Sequence, residues 1–130
     1  MLLAAADRSD PAHERCRELL ESHPGPLITT ELVLAETGWL LDRQLARSPK
    51  PRCTAPSPTA RSSSSTSPQP IDWKRIAALT EKYADQPLGG VDAGLIAVAE
   101  RLGLTTIATL DRRHFGVVRP DHAEVLTLIP

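Results

Sequence analysis

The sequence lacks most of the residues and motifs by which common functional classes are recognised. Only 3% of its 130 residues are aromatic, and neither of its two cysteines, Cys16 and Cys53, belongs to a CxxC or Cys/His cluster. A zinc site and a disulfide framework are therefore not indicated, and both thiols are expected to be reduced. There is no Walker loop, GxGxxG or GxSxG motif, and the four histidines show no HxxxH spacing. Nucleotide-binding, serine hydrolase and histidine-based metalloenzyme functions thus have no support.

Long hydrophobic runs and a strong net charge are also missing. No apolar run approaches the roughly 20 residues that span a bilayer, and the start, MLLAAADRSD, lacks the basic region and the length of a secretory signal. We therefore expect a cytoplasmic protein that does not contact membranes. The formal net charge of -1 gives no sign of a general polyanion-binding surface, so any contact with nucleic acid must be local.

What the sequence does contain is an alternation of helical patterns and short apolar strands. The strands are expected at LIT, TTIATLD and AEVLTLIP. The helices are expected from Asp10 to about Ser22, over TELVLAETGWLLDRQLA with Thr29 or Thr30 as the cap, over IDWKRIAALTEKYAD, and from about Asp92 to Leu102 with Gly103 as the stop. This order predicts an α/β fold with a central parallel sheet and helices on both faces, whose functional crevice lies at the carboxyl ends of the strands.

One segment breaks this pattern. Residues 49–70 hold six of the chain's 12 prolines but no acid and no large apolar residue, so they are not expected to join a core. We predict a single domain over residues 1–130, interrupted by a disordered segment at about 46–70. Out-of-frame translation and a genuine disordered insert are both compatible with this composition.

Three acids stand beside the predicted core elements. Glu36 interrupts the core-facing stripe of its helix, Asp92 opens an otherwise apolar helix, and Asp111 follows a buried strand. Each also has an ordinary explanation. Glu36 fits a surface or rim position, Asp92 fits a helix N-cap, and Asp111 fits a turn with the two arginines that follow it.

Taken together, the three acids predict a metal site. Two carboxylates about 4 Å apart repel by roughly 4 kcal/mol at an effective dielectric constant of about 20, so a protein gathers them only where a cation or a shared proton offsets the cost. Hard oxygen ligands favour Mg²⁺ or Mn²⁺. Such ions activate water and stabilise both oxygens of an in-line phosphoryl displacement, so phosphodiester hydrolysis is the predicted chemistry.

Three segments of the chain resemble a known family. LITTELVLAETGWLLDR, KYADQPLGGVDAGLIAVAERLG and TIATLDRRHFGVVRP are similar to PIN-domain ribonucleases, specifically the VapC-type toxins of bacterial VapBC toxin–antitoxin pairs. The resemblance implies a PIN-like three-layer fold, a Mg²⁺ or Mn²⁺ site, an RNA substrate, a cognate VapB-type antitoxin as partner, and a homodimer.

The resemblance also implies roles for particular residues. Glu36 matches the family's helix acid, Asp92 the acid of its DA motif, and Asp111 the acid after the last core strand, so these three are predicted to be the catalytic metal ligands. Asp85 occupies a position that is often acidic and is interpreted as a supporting or structural residue. Arg112 and Arg113 either contact phosphate or are surface residues.

The chain departs from the family at its start. Members begin with a strand that ends in an Asp, and Met1 stands just after the place where that acid belongs. Asp7 and Asp10 come too late to replace it. We expect the true start to lie upstream, and preceding DNA without an in-frame apolar strand and Asp would refute this.

These observations predict a metal-dependent endoribonuclease that is the toxin of a type II toxin–antitoxin system. The alternative is a catalytically inactive PIN remnant that only binds an antitoxin or dimerises. A third possibility is a chain that does not fold stably.

Overall fold

Helices and short strands alternate along the chain, as predicted. This computed structural model describes residues 1–45, 63–86 and 88–130. Its elements are α1 (Leu2–Ala6), α2 (His13–Ser22), β1 (Leu27–Thr30), α3 (Glu31–Leu45), β2 (Ser63–Thr66), α4 (Pro70–Lys82), α5 (Gly90–Leu102), β3 (Thr106–Ala108), α6 (Arg112–Val117) and β4 (Thr127–Ile129). In this part of the chain, no helix combines the length and the apolar character needed to span a bilayer.

The strands form two parallel pairs. β1 pairs with β2, with Leu27 opposite Ser63, and β3 pairs with β4, with Thr106 opposite Thr127. Within the described ranges no ladder joins the two pairs, so the predicted central sheet consists of two separate halves. The predicted parallel α/β arrangement is confirmed.

Part of the Pro/Ser-rich segment is ordered, contrary to the prediction of disorder over about 46–70. Ser63–Thr66 form β2, and Gln69 and Pro70 begin α4. A polar strand without apolar side chains forms here because its backbone pairs along the full length of β1. Residues 46–62, including Cys53, lie outside the described residues.

α5 is the centre of the main core, and six of its thirteen residues are buried. α4 and α3 pack against it, and the contact with α3 is close at Gly94, where a Cβ atom would lie 2.8 Å from Cδ1 of Leu32. The core residues, all from α4 onwards, are Ile76, Leu79, Leu88, Ala93, Ile96, Ala97, Ala99, Ile107, Phe115, Val118 and Leu126.

The N-terminal helices form a smaller cluster of their own. Ala4, Ala12 and Cys16 are buried together, and Cys16 is a free thiol. The imidazole Nδ1 of His13 lies 3.1 Å from the carbonyl oxygen of Ala4, which ties α2 to α1. α2 begins two residues later than its capping pattern suggests, because the Asp10 carboxylate accepts the backbone N–H of Ala12 in the turn before the helix.

The start of α3 and the end of α5 have the predicted capping residues. The predicted core-facing side of α3, in contrast, is partly exposed. Thr30 Oγ1 accepts the backbone N–H of Val33 as a cap, and Gly103 ends α5 in the left-handed conformation with φ of 67°. Trp39, however, was predicted to face the core and is 56% exposed, with the Arg43 guanidinium 4.5 Å from its ring centroid.

Candidate metal centre

Asp92 lies in the first turn of α5 without capping it. The N-cap is Gly89, and the Asp92 side chain makes no capping hydrogen bond, so the alternative explanation of Asp92 as an N-cap is wrong. Its carboxyl is half-buried. Burial raises the pKa of Asp92, and the negative charges of Asp111 and Glu36 raise it further. The structure therefore places a carboxylate where other acids and partial burial disfavour its charge.

Asp111 is fixed by the start of α6, three residues beyond the end of β3. Its Oδ1 accepts the backbone N–H of His114 at 3.0 Å, and its own N–H donates to Thr109 Oγ1 at 3.0 Å. The hydrogen bond from the His114 backbone lowers the pKa of Asp111, and the electrostatic interaction with the His114 side chain lowers it further. Asp111 is therefore an N-cap whose ionised form is stabilised by its surroundings.

His114 brings a third side chain to the same place. Its Nδ1 lies 2.7 Å from Oδ2 of Asp111. One potential ligand atom from each of Asp92, Asp111 and His114 lies within 4.8 Å of the other two. The structure thus gathers two carboxylates from distant parts of the chain, and adds a histidine that the sequence analysis did not select.

Glu36 is not among the clustered side chains, but its charge acts on Asp92. It belongs to the second turn of α3 and is exposed, so the prediction that it interrupts a buried stripe is wrong. Leu32, one turn before it, packs on Gly94 of α5, which turns this part of α3 towards the first turns of α5. From α3, the negative charge of Glu36 raises the pKa of Asp92.

The residues present fit a divalent cation. Nδ1 of His114 is buried and lies 2.7 Å from Oδ2 of Asp111, which is the distance of an ion pair. Two carboxylates and an imidazole nitrogen whose ligand atoms lie within 4.8 Å of one another have the composition of a metal-binding set. Carboxylate oxygens suit Mg²⁺ and Mn²⁺, and the predicted ion can therefore be accommodated.

The remaining polar residues that the sequence analysis considered are Asp85, Arg112, Arg113 and Asp7. Asp85 is exposed in the turn after α4 and, within the described chain, its side chain makes no hydrogen bond or ion pair with another residue. Arg112 donates to the carbonyl oxygen of Pro130 at 2.6 Å, which leaves the exposed Arg113 as the freer cation beside Asp111. Asp7 accepts hydrogen bonds from Ser9 in the turn after α1.

The structure is a parallel α/β fold with two acids clustered beyond its strands, and comparison with known proteins gives the family. The family model for the PIN domain matches residues 1–119. The chain therefore belongs to the PIN-domain family.

Two relatives show which type of PIN domain it resembles. It is 30% identical over 143 aligned positions to Ribonuclease VapC26 of Mycobacterium tuberculosis, with 99% of this chain and 95% of the relative covered. It also has the fold of Mycobacterium tuberculosis VapC20, described as a sarcin-ricin loop cleaving toxin, with a TM-score of 0.69, 19% identity, and coverage of 95% and 93% of the two chains. The predicted resemblance to VapC-type PIN-domain ribonucleases and the predicted PIN-like fold are confirmed.

Proposed function

We propose that this protein is a metal-dependent endoribonuclease, the toxin component of a type II toxin–antitoxin system, acting in the cytoplasm. The observation that carries the proposal is the convergence of Asp92 and Asp111, 19 positions apart in the sequence, on one cluster in a PIN-domain chain. The similarity to a VapC ribonuclease over nearly the whole chain supports RNA as the substrate.

Glu36, Asp92 and Asp111 would hold Mg²⁺ or Mn²⁺. When bound, such an ion lowers the pKa of a coordinated water and stabilises charge on the phosphodiester oxygens. Asp111 is held rigidly for this role, because its backbone N–H and one carboxylate oxygen are both hydrogen-bonded. Asp92 is held by the first turn of α5, and Glu36 brings a third negative charge from α3.

The arginine next to the cluster would orient the substrate. Arg113 is exposed directly after Asp111, and a guanidinium at this place binds a phosphate of the RNA without reading its sequence. A cognate VapB-type antitoxin and a second copy of the chain are the proposed protein partners, as for a VapC-type toxin.

The experiment is RNA cleavage by the purified chain with Mg²⁺, with Mn²⁺ and with excess chelator. Asp92→Asn keeps the size of the side chain and removes its charge. Because loss of residues that only support metal ligands costs about 10- to 100-fold, loss of a ligand should lower cleavage by roughly 100-fold or more. Asp121→Asn, at an exposed residue that pairs with Arg75, is the matched control and should cleave normally. Metal-independent cleavage, or full activity of Asp92→Asn, would contradict the proposal.

The inactive PIN module gives a different result in the same samples. It would show no cleavage at any metal concentration while still binding the antitoxin encoded beside its gene. The cleavage assay separates this dead binding module from an enzyme, and size-exclusion chromatography of the chain with and without that antitoxin separates it from an unfolded product.

A further inference from the structure

His114 contacts both oxygens of the Asp111 carboxylate. Its backbone N–H donates to Oδ1 at 3.0 Å, and its ring Nδ1 lies 2.7 Å from Oδ2. We propose that His114 is a positioning residue of the nuclease, whose imidazole fixes the direction in which the Asp111 carboxylate presents its remaining lone pairs. The inference rests on the proposed function, because it concerns how one of the proposed metal ligands is held.

The ring contact restricts a torsion that the backbone contact leaves free. The terminal torsion of an Asp side chain is broad, so a carboxylate held at one oxygen can still turn about its Cβ–Cγ bond. Contacts from one residue to both oxygens remove most of that freedom. Because each carboxylate oxygen has two acceptor positions, one on each oxygen stays available for an ion.

The fold in turn holds the imidazole. His114 lies in the first turn of α6, and the residue after it, Phe115, is buried in the main core. The His114 side chain is 23% exposed, whereas that of Asp111 is 41% exposed. The ring is thus a covered support, and the carboxylate that it contacts opens to solvent, as required of a group that an ion and a substrate must reach.

Capping of α6 does not need the ring. Asp111 caps the helix through Oδ1 and the backbone N–H of residue 114, which nearly any side chain at this position would leave in place. The second contact is made at Oδ2, in the cluster that Asp92 also enters. Partners that orient a ligating carboxylate typically contribute about 10- to 100-fold in metal affinity or activity. Loss of the imidazole should therefore preserve the cap and weaken the metal site.

His114→Asn and His114→Phe separate the contact from the bulk of the ring. The amide nitrogen of Asn can take the place of Nδ1 and donate to Oδ2, whereas Phe keeps a ring without any donor. Calorimetric titration of the full chain with Mn²⁺ should give an affinity about 10-fold or more below wild type for His114→Phe, and His114→Asn should keep most of the wild-type affinity. Equal losses in the two variants, or no loss in either, would overturn the inference.

His122→Phe is the matched control for loss of an imidazole. Nε2 of His122 lies 2.9 Å from the carbonyl oxygen of Leu104, and its ring makes no contribution to the cluster. This variant should bind Mn²⁺ as the wild type does. A loss as large as that of His114→Phe would show that the effect does not depend on the contact with Asp111.

A spectroscopic measurement on the metal-free wild type needs no stable variant at the site. Because a carboxylate oxygen only accepts, the proton of the ring contact must lie on Nδ1. Long-range ¹H–¹⁵N spectra of protein labelled with ¹⁵N-histidine should therefore show a protonated Nδ1 for His114. A bare Nδ1 would overturn the inference.

Cleavage kinetics distinguish this inference from the proposed function. The kcat of His114→Phe should fall while its KM for RNA stays close to wild type, because the ring acts on Asp111 and not on the substrate. A change confined to KM would overturn the inference. If the wild type binds no Mn²⁺, the inference and the metal dependence both fail. If the affinities and the ring proton are as expected but no RNA is cleaved, only the proposed function fails.

Discussion

Nε of Arg101 lies 2.9 Å from Oδ2 of Asp72 and joins the C-terminal end of α5 to the N-terminal end of α4. The Asp72 side chain is only 2% exposed. The same oxygen also accepts the backbone N–H of Gln69 at 2.7 Å, as part of the capping box that begins α4. One buried carboxylate therefore starts a helix and fastens it to the central helix of the core.

Asp72→Ala should destabilise the protein by about 3 kcal/mol. The substitution removes a helix cap and leaves Arg101, which is only 21% exposed, without its partner. Urea denaturation followed by circular dichroism gives the change in the free energy of unfolding. Asp121→Ala is the matched control, since Asp121 pairs with Arg75 while 69% exposed, and its loss should cost below about 1 kcal/mol. Equal effects of the two variants would show that burial does not determine the strength of these ion pairs.

Asp92→Asn should stabilise the metal-free protein at neutral pH. Burial and neighbouring acids raise the pKa of Asp92, so the folded state binds more protons than the unfolded state between the two pKa values. Stability due to this group is therefore full below the unfolded pKa of about 3.9 and is lost as the pH rises through the folded value. The asparagine variant avoids that loss.

The measurement is the melting temperature of wild type and Asp92→Asn, with chelator present, from pH 4 to pH 8. The advantage of the variant should be largest at pH 7 and should shrink towards pH 4. A variant that is less stable at every pH would mean that the Asp92 carboxylate makes a favourable contact in the folded state. Together with lost cleavage, the expected gain would show that the site is maintained at a cost in stability.

Two glycines should respond in opposite directions to replacement by alanine. Gly103 has φ of 67°, where a Cβ atom is strained, so Gly103→Ala should cost about 1 kcal/mol. Gly38 lies within α3 with nothing within 4 Å of an added Cβ atom, so Gly38→Ala should gain about 1 kcal/mol from helix propensity. Thermal unfolding compares the two variants, and effects of the same sign would contradict the assigned conformations.

The features that sequence reasoning predicted well are those that depend on a few neighbouring residues. α5 was located because an apolar pattern is closed by Gly103, and α3 because Thr30 precedes its first turn. β2 could not be predicted, since Ser63–Thr66 have no strand-like pattern and become a strand only by pairing with β1. Trp39 was misplaced because helical spacing shows which residues share a face, and the packing of other elements decides whether that face is covered.

The candidate site was predictable to a similar degree. Asp92 and Asp111 could be selected because one opens an apolar helix and the other follows a buried strand. His114 was missed because the histidines were compared only with spacings that join two histidines, or a histidine and a cysteine. The useful signal was the spacing of Asp111 and His114, three residues apart at a helix start, which places both side chains on one side of the first turn.

Glu36→Gln tests whether the third predicted ligand belongs to the site. The negative charge of Glu36 raises the pKa of Asp92, so its removal should lower that pKa in the metal-free protein, as measured by ¹³C NMR of the Asp92 carboxyl. Metal affinity should fall as well, because one of three anionic groups is lost. Since Glu36 is exposed, the free energy of unfolding should change by less than about 0.5 kcal/mol.

Glu31→Gln, at the start of the same helix, is the control and should alter neither the pKa of Asp92 nor the metal affinity. An unchanged pKa of Asp92 together with unchanged metal affinity would remove Glu36 from the proposed site.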